Sequence, residues 1–432
     1  ILVLNKRNRL LISTDITIIG GGCVGLTAAI GLANNGFNVT VVDAASDHTE
    51  LTTPELRVSA ISAASENIFR ALGNWQHLDQ SRFAPYTKMS VWDKDSFGKI
   101  EFDSAQISEP RLGHIIENNN IRNSLITLAR SHDNIQLLFD KKVNSLHTTN
   151  NQQNQTQQVY ITLEDGTPII SKLLVAADGA HSWVRKQLKT PMVFSDYDHH
   201  ALVATIQTTE PHQACARQVF LNTGPLALLP LQITGQDQEQ NLEPNQCSIV
   251  WSSSPEHVQQ LKDMTEQEFN QSITAATDSV LGPITLTSQR VSYPLTMRYA
   301  KQWVNQGVIF MGDAAHTIHP LAGLGMNLGL LDAASLVQVL ATPTLLSAEK
   351  SGELNKQLRK YQGWRKAESQ TYIAAMAALK SLFEGDNKFK KLIRGFGLLI
   401  TNKTDVVKHK IIQQAMGITG DLPDLAKVKD TI

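Results

Sequence analysis

Three short stretches of the chain combine glycine with an acidic residue, a combination that suits a ligand with phosphate and hydroxyl groups. Gly20, Gly22 and Gly25 form the pattern G-x-G-x-x-G, and Asp178–Gly179 and Gly312–Asp313 each follow an apolar run. Glycine lets the backbone approach a phosphate closely, and a carboxylate accepts hydrogen bonds from sugar hydroxyls. A metal, a phosphate and a flavin are the ligands to be weighed for the third stretch.

The elements around the glycine loop favour a dinucleotide. Ile16–Ile19 is a short apolar run typical of a buried strand, Leu26–Asn34 is rich in helix-forming residues, and Val39–Val42 is a second apolar run. A diphosphate would lie at the positive N-terminus of the helix. Asp43, directly after the second strand, is placed to accept hydrogen bonds from the adenosine ribose. This motif alone does not choose between NAD and FAD.

The second and third glycine/acid stretches favour FAD. Both follow predicted strands, and ligands of α/β sheets bind at the carboxyl ends of the strands. We expect Asp313 to bind the ribityl hydroxyls of a flavin, and the loop after it to lay backbone N–H groups against the isoalloxazine ring, where a helix N-terminus favours the electron-rich reduced form. The residues of that loop predicted to contact the cofactor are Pro320, Gly323, Gly325, Met326 and Asn327.

Two histidines in the same loop offer a competing metal interpretation. His316 and His319 have a spacing that zinc accepts, but no carboxylate or cysteine lies close in sequence to complete a site. We therefore predict no metal, and expect loop histidines that hydrogen-bond to the backbone.

Length and composition set the broad class. With 432 residues the chain is too long for one comfortable core, so two domains are expected. The formal net charge of −1 gives no reason to expect nucleic-acid binding. Three scattered cysteines, no apolar run long enough to span a bilayer and no export signal predict a cytoplasmic protein.

The order of predicted elements is that of an α/β protein with an interruption. Residues 191–298 alternate like antiparallel strands, with one helix predicted at Glu266–Ala276. The predicted division is a dinucleotide-binding domain in three parts (1–80, 111–190 and 299–346), strands at 81–110 and a β-rich domain at 191–298 that together receive the substrate, and a helical C-terminal region at 347–432.

In their order along the chain, the three glycine/acid stretches resemble those of the single-component flavoprotein aromatic hydroxylases. The stretch "GDAAHTIHPLAG" followed by "GMNLGLLDAASL" is similar to their ubiquinone-biosynthesis branch, and "RVSAISAASENIFRALGNW" and "CSIVWSSSPE" are similar to the members that hydroxylate C5 of a 2-polyprenylphenol. The resemblance covers most of residues 15–420. It implies a Rossmann-like FAD-binding domain of the para-hydroxybenzoate-hydroxylase type, an inserted β-rich substrate domain and a helical C-terminal tail.

The resemblance also implies a reaction and further contacts. NAD(P)H, bound transiently near Asp178 and Arg57, reduces FAD; dioxygen adds to the flavin, and the hydroperoxide hydroxylates a polyprenylated phenol. Arg57 and Asn118 join the predicted flavin contacts, whereas Leu324 stands where the family usually has glutamine. If that amide touches flavin or substrate in relatives, the contact is lost here; if only backbone donors act, little changes.

No catalytic side chain can be named from the sequence. The candidates of the β-rich block are each explained better as surface or strand-packing residues: Tyr197, His199, His200 and Tyr293. Gly224–Leu231 and Tyr293–Thr296 are apolar stretches that either line a pocket for the ring and its isoprenoid tail or belong to the core.

Several alternatives remain open at this point. The hydroxylated position is C5, C6 or C1, or the protein is a flavin-dependent quinone or isoprenoid reductase, or a flavin-containing binding subunit of a biosynthetic complex. Lysines and an arginine among apolar residues at 387–417 suit either an interfacial helix at a membrane or a helix pair docked on the flavin domain. Assembly with other ubiquinone-biosynthesis proteins and a homo-oligomer are further expectations.

Overall fold

A computed structural model describes residues 11–48, 50–51, 55–151, 156–232, 245–317, 324–383 and 405–428. In this part of the chain the strands are, in order, β1 (Ile12–Ser13), β2 (Ile16–Ile19), β3 (Val39–Val42), β4 (Val58–Ser62), β5 (Phe83–Tyr86), β6 (Lys88–Asp93), β7 (Lys99–Asp103), β8 (Gly113–Glu117), β9 (Ile135–Leu138), β10 (Val143–Asn151), β11 (Thr156–Leu163), β12 (Pro168–Ser171), β13 (Leu173–Ala176), β14 (Met192–Thr208), β15 (Cys215–Leu221), β16 (Gly224–Leu231), β17 (Gln246–Ser253), β18 (Ile284–Leu286), β19 (Val291–Ala300), β20 (Val304–Asn305), β21 (Val308–Phe310) and β22 (His316–Thr317).

Helices connect and flank these strands. The α-helices of the described residues are α1 (Cys23–Asn34), α2 (Ala63–Ala71), α3 (Asn118–Arg130), α4 (Trp183–Gln187), α5 (Pro255–Asp263), α6 (Glu266–Ala276), α7 (Leu324–Val339), α8 (Ser351–Phe383) and α9 (Asp405–Ala415). Short 3-10 helices span Trp75–His77, Gln80–Arg82, Ser104–Ile107, Gly312–Ala314, Pro343–Leu346, Ala348–Lys350 and Asp424–Ala426.

The first sheet has the order β20-β21-β13-β2-β3-β9, and all its strands except β20 run parallel. Its inner strands are continuous apolar runs because both faces of a parallel sheet are covered. One apolar core joins this sheet to α1, α7 and the four-stranded sheet β1-β12-β11-β10. Helices α1 and α7 lie close because Gly31 and Gly329 leave room for Val337 and Val24.

The second large sheet has the order β22-β19-β14-β17-β16-β15-β6-β7, with β18 paired to β14. Its pairs are antiparallel except β15 with β6. One face packs under α5 and α6 through Leu202, Leu228, Trp251 and Phe269. The prediction of a single helix in this block was incomplete: α6 lies as expected, but α5 precedes it, begun by the N-cap Ser254 and by Pro255 in its first turn.

A small sheet, β4-β8-β5, joins the two large ones. Of the segment 81–110, β6 and β7 extend the nine-stranded sheet while β5 pairs with β8. The division of the chain into domains stays a prediction. In the C-terminal region α8 and α9 are helical. Ile412 of α9 and Met416, which directly follows that helix, pack onto Leu112. Residues 384–404 and 429–432 of the predicted helical region lie outside the described residues.

Candidate cofactor site

The three glycine/acid turns lie side by side at one edge of the parallel sheet. The last residues of three adjacent strands form one row, because Ala176 is in register with Ile19 and with Phe310. Val42 extends the row on the other side of Ile19. The turns that follow these strands, although far apart in sequence, therefore surround one volume at the carboxyl ends of the strands, where α/β proteins bind their ligands.

In the glycine loop, the fold itself requires glycine at two positions and does not require it at a third. Gly20 has a φ of +110°, and a Cβ there would lie 2.3 Å from the carbonyl oxygen of Ala177. A Cβ on Gly25 would lie 2.0 Å from the carbonyl oxygen of Gly20. A Cβ on Gly22, by contrast, would meet nothing within 4 Å. Gly22 directly precedes α1, so the open space beside it lies at the positive end of that helix.

Asp43 and Arg122 brace the glycine loop from outside. The carboxylate of Asp43 accepts a hydrogen bond from the N–H of Gly21 and another, at 2.7 Å, from the N–H of Ala45. Arg122 of α3 donates to the carbonyl oxygens of Gly21 and Ser46, at 3.0 and 2.6 Å. Sequence reasoning found Asp43 by its spacing, but missed Arg122, which lies 101 residues from its partner Gly21.

Asp178 carries an unsatisfied oxygen at the second turn. Its Oδ2 accepts the N–H of Val184 at 3.1 Å, whereas its buried Oδ1 has no hydrogen-bond partner in the protein. Burial raises the pKa of Asp178, although nearby donors oppose this. The next residue, Gly179, has a φ of +78° and open space at its Cβ position. The turn is held from behind by Arg185, which donates to the carbonyl oxygens of Ala180 and Ala314.

Asp313 lies in the third turn, and its side chain is exposed to solvent. Desolvation raises the pKa of its carboxyl group, against the effect of four cationic or titratable neighbours: His316, Arg57, Arg298 and Arg185. Because it is exposed, this carboxylate is available to a ligand with hydroxyl groups.

A buried ionic network fixes the third turn from behind. Asp332 of α7 is fully buried; its Oδ2 accepts the N–H of Gly312 at 2.9 Å and Nε2 of His316 at 2.7 Å, and its Oδ1 accepts Nε of Arg365 at 2.7 Å. Burial would raise the pKa of Asp332, but His316 and Arg365 hold it below its usual value. His316 stacks on Trp303 and bonds to a side chain, so the prediction that it would bond to the backbone was wrong.

Arg57 connects the cofactor side to the nine-stranded sheet. Its guanidinium lies 4.7 Å from the centre of the Tyr293 ring, and its carbonyl oxygen accepts the N–H of Asn118. Asn118 also accepts a hydrogen bond from Ser59 Oγ through Oδ1 and lies close to Cys23 Sγ beside the glycine loop. The structure thus brings Arg57 and Asn118 to the three turns. Their contact with a flavin stays a prediction.

The predicted isoalloxazine loop is described only in part. Pro320, Gly323 and His319 lie outside the described residues, as does the side chain of Leu324. Gly325 has open space at its Cβ position, and Met326 packs partly into the core. Asn327 is buried, and its amide donates to the carbonyl oxygen of Ala60 and accepts from Ser62 and Ser65. Its side chain therefore holds α7 to α2.

The face of the nine-stranded sheet opposite α5 and α6 is apolar and partly open. Cross-strand partners share a face, and one row contains Val203, Val250 and Ala227. Two residues before Val203, Ala201 pairs with Tyr293 on that same face. Val250, Ala227 and Leu229 are only half-buried. Because Arg57 lies over Tyr293, this face looks towards the cofactor side.

The other candidates give no catalytic residue. The side chain of Tyr197 lies outside the described residues, and His199 and His200 are half-exposed on β14. Cys23 is buried, which raises the pKa of its thiol to about 12 and makes it a packing residue. Among the described residues, no group of three or more His, Cys, Asp or Glu side chains is arranged to hold a metal ion.

These features fit FAD. A dinucleotide needs open backbone at a helix N-terminus, which Gly22 provides, and acceptors for sugar and ribityl hydroxyls, for which Asp313 and the unpartnered oxygen of Asp178 are available. An apolar surface beside the cofactor is what an aromatic substrate requires.

Comparisons with known proteins agree with this fit. The sequence model of a family described as FAD binding domain matches residues 13–367. The 3-demethoxyubiquinol 3-hydroxylase of Escherichia coli K12 is 32% identical over 410 residues, covering 94% of this chain and 99% of that protein. The mitochondrial ubiquinone biosynthesis monooxygenase COQ6 of Danio rerio is 31% identical, covering 92% and 88% of the two chains.

A solved structure shows the same fold. The p-nitrophenol 4-monooxygenase PnpA from Pseudomonas putida superposes with a TM-score of 0.73 at 18% identity, covering 94% of this chain and 98% of that one. The predicted fold class, an FAD-binding α/β fold of the para-hydroxybenzoate-hydroxylase type with a helical C-terminal region, is confirmed.

Proposed function

The chain belongs to the FAD binding domain family and is an FAD-dependent monooxygenase, and from this premise we propose that it hydroxylates the aromatic ring of a polyprenylated phenol in ubiquinone biosynthesis. The observation that carries the proposal is the position of the half-buried apolar sheet face beside three turns that suit FAD. The names of the two relatives support it: one is a 3-demethoxyubiquinol 3-hydroxylase and the other a ubiquinone biosynthesis monooxygenase.

The residues of the three turns would hold the cofactor. The loop Gly20–Gly25 and the N-terminus of α1 would bind its diphosphate, with Asp43 near the adenosine ribose. Asp313, exposed at the third turn, would accept hydrogen bonds from ribityl hydroxyls, and backbone N–H groups at the start of α7 would face the ring. When bound, FAD supplies electron transfer from NAD(P)H and the activation of dioxygen.

The transient NAD(P)H site is proposed near Asp178 and Arg57. Cationic side chains gather there: Arg57 and Arg298 act electrostatically on Asp313, and Arg298 donates to the carbonyl oxygen of Ala180. A dinucleotide carries two or more negative charges, so this cationic wall would attract it. The same region borders the cofactor turns, which keeps a nicotinamide within reach of the flavin.

The apolar sheet face would bind the substrate ring and exclude water from it. Val203, Val250 and Ala227 offer no hydrogen bonds, so a phenol ring replaces ordered water there without unsatisfied partners. Leu229, farther along β16, would extend this surface for an isoprenoid tail. The protein positions the ring and keeps the site dry, while the cofactor carries the difficult chemistry.

The proposed position of hydroxylation is C5, on the resemblance of residues 57–75 and 247–256 to the hydroxylases of 2-polyprenylphenols. A second candidate substrate is a demethoxylated polyprenyl quinol, which is the C6 step, and it is favoured by the 32% identity to the 3-demethoxyubiquinol 3-hydroxylase. The two substrates differ in the methoxyl and methyl groups of the ring. They can therefore be supplied separately to the same enzyme.

The test is a direct assay of the purified holoenzyme with NAD(P)H, dioxygen and each substrate in turn, analysed by mass spectrometry. Incorporation of one oxygen atom from labelled dioxygen into the 2-polyprenylphenol supports the C5 proposal. Incorporation only into the demethoxylated quinol moves the assignment to the second candidate. A labelled product from neither substrate, in enzyme that is fully loaded with FAD, contradicts the proposed substrate class.

No helix in the part of the chain that the structure describes is long and apolar enough to cross a membrane. Because a polyprenylated substrate dissolves in lipid, we propose a peripheral membrane contact through residues 387–417. Of this segment the structure describes residues 405–417, in which Ile411 is an exposed apolar residue. Sedimentation with liposomes tests the contact, and an I411D variant that sediments as well as the parent chain contradicts it.

A further inference from the structure

The strongest feature not used so far is the buried network behind the third turn. Asp332, Arg365 and Ser369 are fully buried, and Asp332 receives hydrogen bonds from two residues of the third turn and from Arg365 of α8. Isolated buried charges are costly, so a network of this kind is expected where it fixes a geometry. None of its charged side chains belongs to the residues that would contact the cofactor.

We propose that Asp332 and Arg365 are positioning residues that hold the Gly312–Asp313 turn in the orientation FAD requires. Gly312 adopts a φ of +54°, and its N–H donates to Asp332 Oδ2 one peptide before Asp313. Fixing this N–H fixes the direction in which the Asp313 side chain leaves the backbone. The inference rests on the proposed role of Asp313 in binding FAD.

Arg365 fixes Asp332 in turn. The guanidinium is fully buried on α8, donates Nε to Asp332 Oδ1, and is itself held by Glu368 and by the carbonyl oxygen of Leu328 on α7. Through this chain of contacts α8, which lies outside the parallel sheet, acts on a turn at the edge of that sheet. The third donor, His316, lies on the same turn and shares Oδ2 with Gly312.

The substitution D332N separates this role from general stability. Arg365 can only donate, so an asparagine at this position must place its amide oxygen towards Arg365. Its NH₂ group then takes the place of Oδ2 and faces the N–H of Gly312. Both groups are hydrogen-bond donors, so no hydrogen bond can form between them. His316 can adapt by changing its tautomer, but the backbone N–H cannot. The turn is therefore the part that moves.

The experiment measures FAD affinity by titrating apoprotein, and backbone hydrogen exchange of residues 308–317 in the apoprotein. We expect D332N to bind FAD about tenfold more weakly, the effect of one lost charged hydrogen bond, and to exchange faster in this segment. The matched control is Y361F, which removes the hydrogen bond from Tyr361 to the carbonyl oxygen of Phe310 on the strand before the turn. It should lower the melting temperature and leave FAD affinity unchanged.

Other outcomes are equally informative. If D313A weakens FAD binding but folded D332N binds FAD like the parent, the positioning role is contradicted while the proposed cofactor site stands. If D313A itself has no effect on FAD affinity, the proposed role of Asp313 fails. If D332N does not fold, R365K replaces it: the charge is kept, but a single ammonium nitrogen cannot reproduce the three contacts with Asp332, Glu368 and Leu328 that separate guanidinium nitrogens make, and unchanged FAD affinity in this variant contradicts the inference.

Discussion

At the scale of single residues, Gly22 and Gly25 differ in the space that a Cβ atom would have. Packing of the protein requires glycine at position 25, whereas at position 22 a ligand would require it. Both belong to one motif, yet a Cβ at Gly25 would collide with the backbone of Gly20 and a Cβ at Gly22 would meet no protein atom within 4 Å. A glycine that packing does not require is explained by a ligand that approaches it closely.

The variant G22V is therefore expected to fold like the parent and to lose FAD. Its side chain points into open space in the protein alone but would occupy the place of the diphosphate. The measurements are the melting temperature of the apoprotein, expected unchanged, and FAD affinity, expected to fall at least tenfold. G25A is the matched comparison and should destabilise the apoprotein by about 1–3 kcal/mol or more through overpacking. Normal FAD binding by G22V would contradict this account of the loop.

Residues that belong to a local sequence motif could be predicted, whereas residues that contact the motif from a distant part of the chain could not. The glycines, Asp43 and Asp313 could be found because each stands at a fixed offset from a strand. Arg122, Asp332 and Arg365 could not, because their partners lie in other elements, up to 101 residues away for Arg122. A buried aspartate in an otherwise apolar helix, as in "GLLDAASL", is the one signal in the sequence that pointed to Asp332.

At the scale of elements, a charged cluster joins α2 to the start of β8. Glu66 is buried and lies 2.7 Å from both Arg70 and Arg111 and 3.2 Å from His114 Nδ1. Burial would raise the pKa of Glu66, but the nearby His114 and hydrogen bonds from Arg111 and Arg70 lower it to about 2. The cluster lies on α2, whose first turn is hydrogen-bonded to Asn327 of α7.

This shift predicts a stability loss in acid. A carboxylate whose pKa is lowered on folding stabilises the protein above its unfolded pKa, here 4.5, and the contribution is lost as pH falls towards about 2. This contribution to the free energy of unfolding is on the order of 3 kcal/mol. Chemical denaturation measures the free energy of unfolding at pH 6 and at pH 3, and the drop between the two pH values should be smaller for E66Q than for the parent. E349Q, which removes an exposed carboxylate, should behave like the parent.

The contact between Arg57 and Tyr293 joins the small sheet to the nine-stranded one. Replacing the ring in Y293L should lower kcat/KM about two- to fivefold, since an exposed cation–π contact contributes about 0.5–1 kcal/mol. Y293F keeps the ring and should retain the parent value. Steady-state kinetics with the phenol checks this, and an equal loss in both variants would show that the hydroxyl, rather than the ring, is what matters.

Helices and strands could be predicted where apolar periodicity and the placement of glycine marked both ends of the element. The strand–turn–helix units around Gly20 and Asp178 and the helix Glu266–Ala276 were found from apolar periodicity and glycine placement. Helix α5 was missed although Ser254 and Pro255 mark its start, because the strand signals around it were read as continuous. The parallel pairing of β15 with β6 was beyond the sequence, since it joins segments more than 100 residues apart.

At the scale of the whole molecule, the nine-stranded sheet has one face that packs into its own core and one that we propose binds the substrate. Its packed face is covered by α5 and α6, while the face with Ala227 and Val250 stays half-open towards the cofactor side. The sequence left these apolar stretches undecided between core and pocket. Only the pairing of strands shows which residues share the open face.

A bulky side chain on the open face should therefore block the substrate without affecting the cofactor. A227F is expected to lower kcat/KM for the phenol at least tenfold while FAD affinity and melting temperature stay close to those of the parent. A275F, at an exposed position of α6 on the covered side, is the control and should leave the kinetics unchanged. Equal kinetics in A227F and the parent would place the substrate elsewhere.

The proposed cofactor site requires that a single FAD contacts turns from three distant parts of the chain. Hydrogen exchange followed by mass spectrometry of the apoprotein, with and without one equivalent of FAD, measures this directly. We predict simultaneous protection of residues 20–25, 178–184 and 312–317, three segments that the register of β2, β13 and β21 brings together. Protection confined to residues 20–25 would contradict it, since the cofactor would then be held by the glycine loop alone.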